Sequence, residues 1–173
     1  MPSLRPVHPT DDAFLFKLYA STRQDLAHLG LAEPQKELLL RMQWKAQWQS
    51  YSSRYPGSAP QLVLVNGQPV GRLWVARVPG ELRVMDISLL PEHRGAGLGT
   101  GLLRALQQEA TAAGTPVRLS VAHDNPARRL YERLGFTRRE GGTALAEPFL
   151  LLEWTPPAAP TAASSPAPRP PSE

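Results

Sequence analysis

The sequence contains no cysteine among its 173 residues, which excludes disulfides and thiolate metal sites. Its four histidines are scattered without the spacing of a metal-binding motif, so we expect no metal cofactor. No apolar run approaches the roughly 20 residues of a membrane span. The first residues lack the charged head and apolar stretch of a secretory signal. These absences favour a cytoplasmic protein that does not enter a membrane.

The net charge is +4 at pH 7 and comes mainly from scattered arginines. Since no long basic run or aromatic–basic module accompanies this charge, the sequence does not favour a nucleic-acid-binding protein. The length suits one domain, which we expect at residues 1–155. Residues 156–173 are almost entirely proline, alanine and serine. Such a segment cannot bury enough apolar surface to order itself, so we predict a disordered tail.

Helix and strand signals predict the order of the secondary-structure elements along the chain. Two helices are predicted first, one beginning near Thr10 and one running from Pro34 to about Tyr55. Next comes a hairpin around Asn66–Gly67, the dipeptide with the strongest short-range hairpin signal. A strand–helix–strand unit and a closing strand pair around a Gly141–Gly142 turn follow. This order predicts an α+β fold with a mostly antiparallel sheet of six to seven strands and about four helices.

The stretch from Pro91 to Leu103, PEHRGAGLGTGLL, holds four glycines within seven residues. The third glycine of a dinucleotide fingerprint is missing, because Thr100 or Leu102 occupies its position. A nucleoside-triphosphate loop needs a lysine, and this stretch has none. What remains is an arginine-led glycine turn between a strand and a helix. Such a turn can direct main-chain N–H groups at a pyrophosphate, or it can be a tight joint that binds nothing.

This loop resembles the cofactor motif of the GNAT superfamily, the acyl-CoA-dependent N-acyltransferases. A second GNAT-like motif, NPARRLYERLGF, follows at Asn125–Phe136, and the resemblance extends over roughly Ser3–Trp154. It implies a sheet splayed between the fourth and fifth strands, with acyl-CoA in the gap. The implied activity is transfer of an acetyl group from acetyl-CoA to a primary amine, by direct attack on the thioester. The alternative is a non-catalytic domain that senses or binds coenzyme A.

The resemblance also implies which residues contact the cofactor. Backbone groups near Ile87 and Leu89 would pair with the pantetheine arm, and one of their N–H groups would stabilise the oxyanion. Main-chain N–H groups from Gly95 to Thr100 would hold the pyrophosphate, with help from the Arg94 side chain. Asn125 would contact the arm from the other side, or serve only as a helix cap. The predicted cofactor-binding residues are Ile87, Leu89, Arg94, Gly95, Ala96, Gly97, Leu98, Gly99, Thr100, Asn125 and Tyr131.

Two residues are candidates for proton transfer. By the resemblance, Tyr131 would protonate the leaving thiolate; the alternative is a packed aromatic residue. Asp86 is a carboxylate within an otherwise apolar strand, where an isolated charge is costly. It is therefore the leading candidate for a general base, acting through water, although a structural hydrogen bond explains it equally well. The weaker candidates for the base are Glu81, Glu33 and Glu37.

The second helix carries two apolar faces. One face should pack on the sheet and consists of Leu38, Leu39, Met42 and Ala46. The other is an aromatic stripe that consists of Leu40, Trp44, Trp48, Tyr51 and Tyr55. Three roles stay open for the stripe: a wall of the acceptor pocket, a homodimer interface, or burial within the monomer. Nothing in the sequence specifies which amine is the acceptor.

Overall fold

The computed structural model describes residues 2–139 and 149–158, where seven strands form one sheet in the order β1-β2-β3-β4-β5-β7-β6. Only β4 and β5 are parallel neighbours; the other pairs are antiparallel. The predicted α+β fold is confirmed. The strands are β1 (Ser3–Pro6), β2 (Gln61–Val65), β3 (Gln68–Val78), β4 (Glu81–Leu89), β5 (Val117–Ala122), β6 (Thr137–Arg138) and β7 (Phe149–Trp154).

Four α-helices flank the sheet: α1 (Asp12–Ser21), α2 (Glu33–Arg54), α3 (Leu98–Ala113) and α4 (Arg128–Arg133). Short 3₁₀ turns lie at Pro9–Asp11, Gln24–Leu29 and Pro91–His93. The Asn66–Gly67 hairpin is confirmed, and both residues have the positive φ that this tight turn requires. Strands β6 and β7 pair as predicted. The Gly141–Gly142 turn, and the predicted tail beyond residue 158, lie outside the described residues.

The prediction of which face of α2 packs inward is wrong. Leu38 and Met42 are 61% and 62% exposed, although we expected them to meet the sheet. The aromatic stripe packs inward instead: the rings of Trp48 and Tyr51 lie 5.0 and 5.2 Å from that of Trp74 in β3. Aromatic rings bury more apolar area per residue than aliphatic side chains, and edge-to-face contacts add to that gain. The stripe therefore packs within the monomer, with Leu40 buried and its four aromatic side chains half-buried.

The pairing of β4 with β5 covers only three residue pairs, Leu82–Val84 with Val117–Leu119. Beyond them β4 continues to Leu89 and β5 to Ala122 with no pairing between the two strands. This confirms the predicted splay and defines the gap, the open end of the sheet between β4 and β5. At the closed end Arg118 donates hydrogen bonds to Glu81 of β4 and Glu153 of β7, at 2.9 and 2.6 Å. One guanidinium thus joins three strands where the sheet is continuous.

Close approach between β3 and β4 requires Gly71. A Cβ at this position would overlap the carbonyl oxygen of Ser88 and lie 2.7 Å from Leu89 Cδ2. Because the obstacle is the β4 backbone, a larger residue must push the two strands apart.

We expect Gly71→Ala to lower the free energy of unfolding by roughly 1–3 kcal/mol, the usual cost of overpacking. The matched control is Gly101→Ala, since a Cβ at Gly101 meets nothing within 4 Å. This helical position should gain about 0.5–1 kcal/mol. Urea denaturation of both variants measures the difference, and equal stabilities would contradict the packing argument.

The ion pair between Arg5 and Asp11 ties β1 to the start of α1. Both Asp11 carboxylate oxygens accept from the guanidinium, at 2.8 and 2.9 Å, and one also accepts the His8 N–H at 2.7 Å. The hydrogen bonds from Arg5 and then from His8 lower the pKa of Asp11 to about 2.

A carboxylate with a lowered folded-state pKa contributes stability above its unfolded pKa of about 3.9 and loses it as the pH falls. Asp11→Asn should therefore cost about 1.5–3 kcal/mol at pH 7. This cost should shrink between about pH 5 and pH 2. Asp12→Asn, at an exposed neighbouring carboxylate, is the control. Chemical denaturation across this pH range tests it, and a pH-independent difference would refute it.

Candidate active site

A β-bulge at Met85 determines which backbone groups of β4 face the gap. Trp74 pairs with Asp86 and Val75 with Val84, so Met85 is the extra residue of β4. Before the bulge, the Leu82 N–H donates to Pro116, towards β5; after it, the Leu90 N–H donates to Val70, towards β3. Successive residues of a strand point their backbone groups to opposite sides.

The N–H and C=O groups of Ile87 and Leu89 consequently point into the gap. They are the groups that the sequence analysis assigned to the pantetheine arm. Their pairing with that arm stays a prediction.

The glycine loop begins at the end of β4 and leads into α3. Gly95 and Gly97 have φ values of 76° and 84°, and Gly97 is the N-cap of α3. A Cβ on either residue would enter open space, so glycine serves the backbone conformation here rather than close packing. The Gly101 N–H donates to the Gly97 carbonyl and starts the helical hydrogen bonding.

The N–H groups before Gly101 have no intrahelical acceptor, and they coincide with the positive end of the helix dipole. Together these donors form a suitable anion site. Arg94 joins this loop to β4, because its Nε donates to the Leu89 carbonyl at 2.9 Å. The contact of its guanidinium with a pyrophosphate stays a prediction.

Tyr131 lies on the α4 side of the sheet. Its side chain is buried, and its ring stands edge-on to Phe136 with 5.8 Å between centroids. Both belong to the main core cluster, against which Ile87 and Leu89 also pack. Burial, and then the charge of Asp86, raises the pKa of Tyr131 to about 12. The hydroxyl therefore carries its proton at neutral pH, as a general acid must.

Asp86 points to the opposite face of the sheet, towards α2. One carboxylate oxygen accepts from Arg72 Nε at 2.8 Å, and both lie within 3.0 Å of the Ser88 hydroxyl. Arg72 also donates to Gln47 of α2 at 2.9 Å, and is only 4% exposed. Asp86 therefore makes the structural hydrogen bonds that the sequence analysis gave as the alternative to catalysis. Its role as a general base stays a prediction.

Residues 18–136 match the model of the acetyltransferase (GNAT) family. The chain belongs to the GNAT acetyltransferase family. It is 34% identical, over 118 residues, to the mycothiol acetyltransferase of Nocardiopsis dassonvillei. The aligned part is 68% of this chain and 32% of that protein, so the chain spans about a third of the length of this curated relative.

Two solved GNAT structures share the fold. The PaiA N-acetyltransferase of Thermoplasma acidophilum, in complex with coenzyme A, superposes with a TM-score of 0.66 at 15% identity, over 90% of this chain and 99% of that one. The ribosomal-protein-S18-alanine N-acetyltransferase of Escherichia coli gives 0.61 at 20% identity, over 93% and 97%. At these identities the likeness is one of fold alone.

Asn125 caps the turn that precedes α4 in this GNAT chain. Its Oδ1 accepts the Ala127 N–H at 2.9 Å. The prediction of Asn125 as the helix cap is off by two residues, because the N-cap of α4 is Ala127 and the helix begins at Arg128. The contact of Asn125 with a cofactor stays a prediction.

The weaker candidates for the base lie apart from the gap or in other ion pairs. Glu81 binds Arg118 at the closed end of the sheet, and Glu37 pairs with Arg41 on α2 at 2.9 Å. Glu33 lines a groove of about 430 Å³ between α1 and α2.

Arg72, Gln47 and Ser88 were missed by sequence reasoning. Arg72 could have been found, because it is a charged residue inside the otherwise apolar strand VGRLWVAR. The same kind of signal identified Asp86.

The part of the chain that the structure describes offers neither a cluster of metal ligands nor a membrane-spanning helix. Within residues 2–139 and 149–158, no three histidine, aspartate or glutamate side chains cluster closely enough to hold a metal ion. Over the same ranges, no helix has the length and apolar character needed to cross a bilayer.

We expect Gly97→Ala to weaken coenzyme A binding by up to about 5- to 30-fold, because an L-residue there strains the backbone that aims the loop donors by about 1–2 kcal/mol. The matched control is Gly80→Ala in the β3–β4 turn, whose φ of 87° and open surroundings are nearly the same. Both variants should lose about 1–2 kcal/mol of stability. Only Gly97→Ala should show the weaker affinity for coenzyme A by calorimetry. Equal affinities in the two variants would contradict a role for the loop in binding.

Proposed function

We propose that this GNAT protein transfers an acetyl group from acetyl-CoA to a primary amine. The supporting observation is that three features converge at the gap. The first is the backbone of β4 at Ile87 and Leu89, which has no strand partner on the side of β5. The second is the glycine loop with its unpaired N–H donors, and the third is the protonated Tyr131 on the α4 side. Acetyl-CoA needs all three: the β4 backbone for its pantetheine arm, the loop donors for its pyrophosphate, and the Tyr131 proton for its leaving sulfur.

The donor occupies the gap in this proposal. The pantetheine arm, an extended chain with two amides, adds to β4 as a strand would. The pyrophosphate accepts hydrogen bonds from N–H groups of residues 95–100, and the terminal nitrogens of Arg94 add charge-assisted contacts. The Asn125 side chain flanks the arm on the α4 side. An N–H of Ile87 or Leu89 then stabilises the oxyanion that forms on the thioester carbonyl.

The reaction is a direct displacement. The amine lone pair attacks the thioester carbonyl carbon, a C–N bond forms, and collapse of the tetrahedral intermediate breaks the C–S bond. Tyr131 donates its proton to the sulfur. The nitrogen loses one proton to solvent, through a water on Asp86, and Tyr131 regains its proton from solvent. The net change converts an amine and a thioester into an amide and a thiol.

The names of similar proteins support acetyl as the group that is transferred. The relative from Nocardiopsis dassonvillei is a mycothiol acetyltransferase, and the Escherichia coli structure is an alanine N-acetyltransferase. Their acceptors differ, so these names do not select one for this chain. The proposal therefore specifies the donor and the amine class of the acceptor.

We expect Tyr131→Phe to lower kcat about 10²-fold or more, the usual contribution of a general acid. The KM for acetyl-CoA should change little, because the ring and its packing are retained. Because the pKa of Tyr131 is about 12, the wild-type rate should show no loss from its ionisation up to about pH 10. Release of free thiol during an amine screen measures the rate.

Tyr55→Phe, at the end of α2, makes the same chemical change outside the gap and should leave kcat unchanged. An unchanged kcat in Tyr131→Phe would remove the acid assignment. Tight coenzyme A binding without thiol release for any amine would instead support the non-catalytic alternative.

A further inference from the structure

A buried ion pair borders the gap on the side of α2. Arg72 Nε and an Asp86 carboxylate oxygen are 2.8 Å apart, and the two side chains are 4% and 16% exposed. Arg72 lies 5.6 Å from the centroid of the Trp74 ring and donates to Gln47. The guanidinium is therefore held by α2, β3 and β4 together. Asp86 lies on β4 beyond its last pair with β5, and its side chain keeps a small exposed fraction.

The remaining groups around Asp86 add no formal charge at neutral pH. Ser88 and Gln47 are neutral. Burial, and then the charge of Asp86, raises the pKa of Tyr51 on α2 and of Tyr131 on α4, so both phenols stay protonated. Arg54, one turn beyond Tyr51, is exposed to solvent. The charges of Arg72 and Asp86 thus cancel each other within the site.

A neutral ion pair treats a cationic amine differently from a bare carboxylate. An unpaired Asp86 would attract an ammonium group and concentrate it beside the thioester. Because Arg72 contacts Asp86, the ammonium group meets no net negative charge. No electrostatic attraction then offsets the free energy lost when the ammonium group leaves water. The desolvation penalty is smaller for a free amine, which can donate a hydrogen bond to the Asp86 carboxylate.

We infer that Arg72 is a specificity-determining residue, which makes the acceptor site select amines that are uncharged near neutral pH, such as peptide α-amines, over lysine side chains. This inference rests on the proposed function. Presenting a neutral lysine amine at pH 7 costs about 4.6 kcal/mol, whereas a neutral α-amine costs about 1 kcal/mol. A site without net charge does not reduce this difference between the costs of presenting the two neutral amines.

The test uses two peptides of otherwise identical sequence. One has a free α-amine and no lysine; the other has an acetylated amino terminus and one lysine. We expect the full chain to prefer the first by about 10²-fold or more in kcat/KM at pH 7, since the neutral fractions differ about 500-fold. Below the pKa of the α-amine, KM expressed as total amine should rise about tenfold per pH unit, while kcat stays constant.

Three variants separate charge from structure. Arg72→Gln leaves the Asp86 carboxylate unopposed, and should narrow the α-amine preference at least 10-fold. Arg72→Lys keeps the charge and should keep the preference. The double variant Arg72→Gln/Asp86→Asn removes both charges and should restore the preference, which a merely structural role for Arg72 does not predict. The preference is the ratio of kcat/KM for the two peptides, so the loss of the water relay on Asp86, which slows both peptides alike, does not change it. Coenzyme A affinity by calorimetry should stay within about twofold throughout and reports correct folding.

The outcomes are distinguishable. Measurements on the wild-type protein alone can overturn the inference. Either a pH-independent KM for total α-amine or equal kcat/KM for the two peptides would do so. An unchanged preference in Arg72→Gln that still binds coenzyme A would overturn the role of Arg72. Acetyl transfer to neither peptide nor any other amine would overturn the proposed function, and the inference with it.

Discussion

The parallel pairing of β4 with β5 ends after three residue pairs, and the rest of the site depends on that ending. If the two strands stayed together, the backbone groups of Ile87 and Leu89 would bind β5 and no gap would exist. Arg118 secures the closed end through carboxylates on both neighbouring strands. The bulge at Met85 then turns the correct backbone groups towards the opening. A local irregularity of one residue therefore decides what the gap offers a ligand.

The sheet separates the two halves of the proposed reaction. Tyr131 and the glycine loop belong to the face covered by α3 and α4, where the leaving thiol would need a proton. Asp86 and Arg72 belong to the face covered by α1 and α2, where an amine would approach. The aromatic stripe of α2 packs on Trp74 beside this pair. Arg72 is only 4% exposed there, and a charge pair held away from water interacts more strongly than one in solvent.

The features that follow local rules were predictable from the sequence. The glycine loop and the Asn66–Gly67 hairpin require positive φ, and glycine marks such positions directly. The position of Arg72 was not predictable in this way. Counting back from the β3–β4 turn pairs Arg72 with Ile87, whereas the bulge in β4 shifts the pairing so that Arg72 lies opposite Ser88 and within reach of Asp86. The inward face of α2 was also missed, because it depends on Trp74 in a distant strand.

The gap gives this protein an edge in the middle of its sheet. Edge strands normally lie at the rim, where their unsatisfied amides invite the addition of another chain. Here the open main chain of β4 lies inside the sheet, so an extended molecule that adds as a strand is the kind of ligand that it suits. A short peptide with amides at strand spacing meets the same requirement as a pantetheine arm. Competitive inhibitors of this protein can therefore be sought among extended amides that carry no nucleotide.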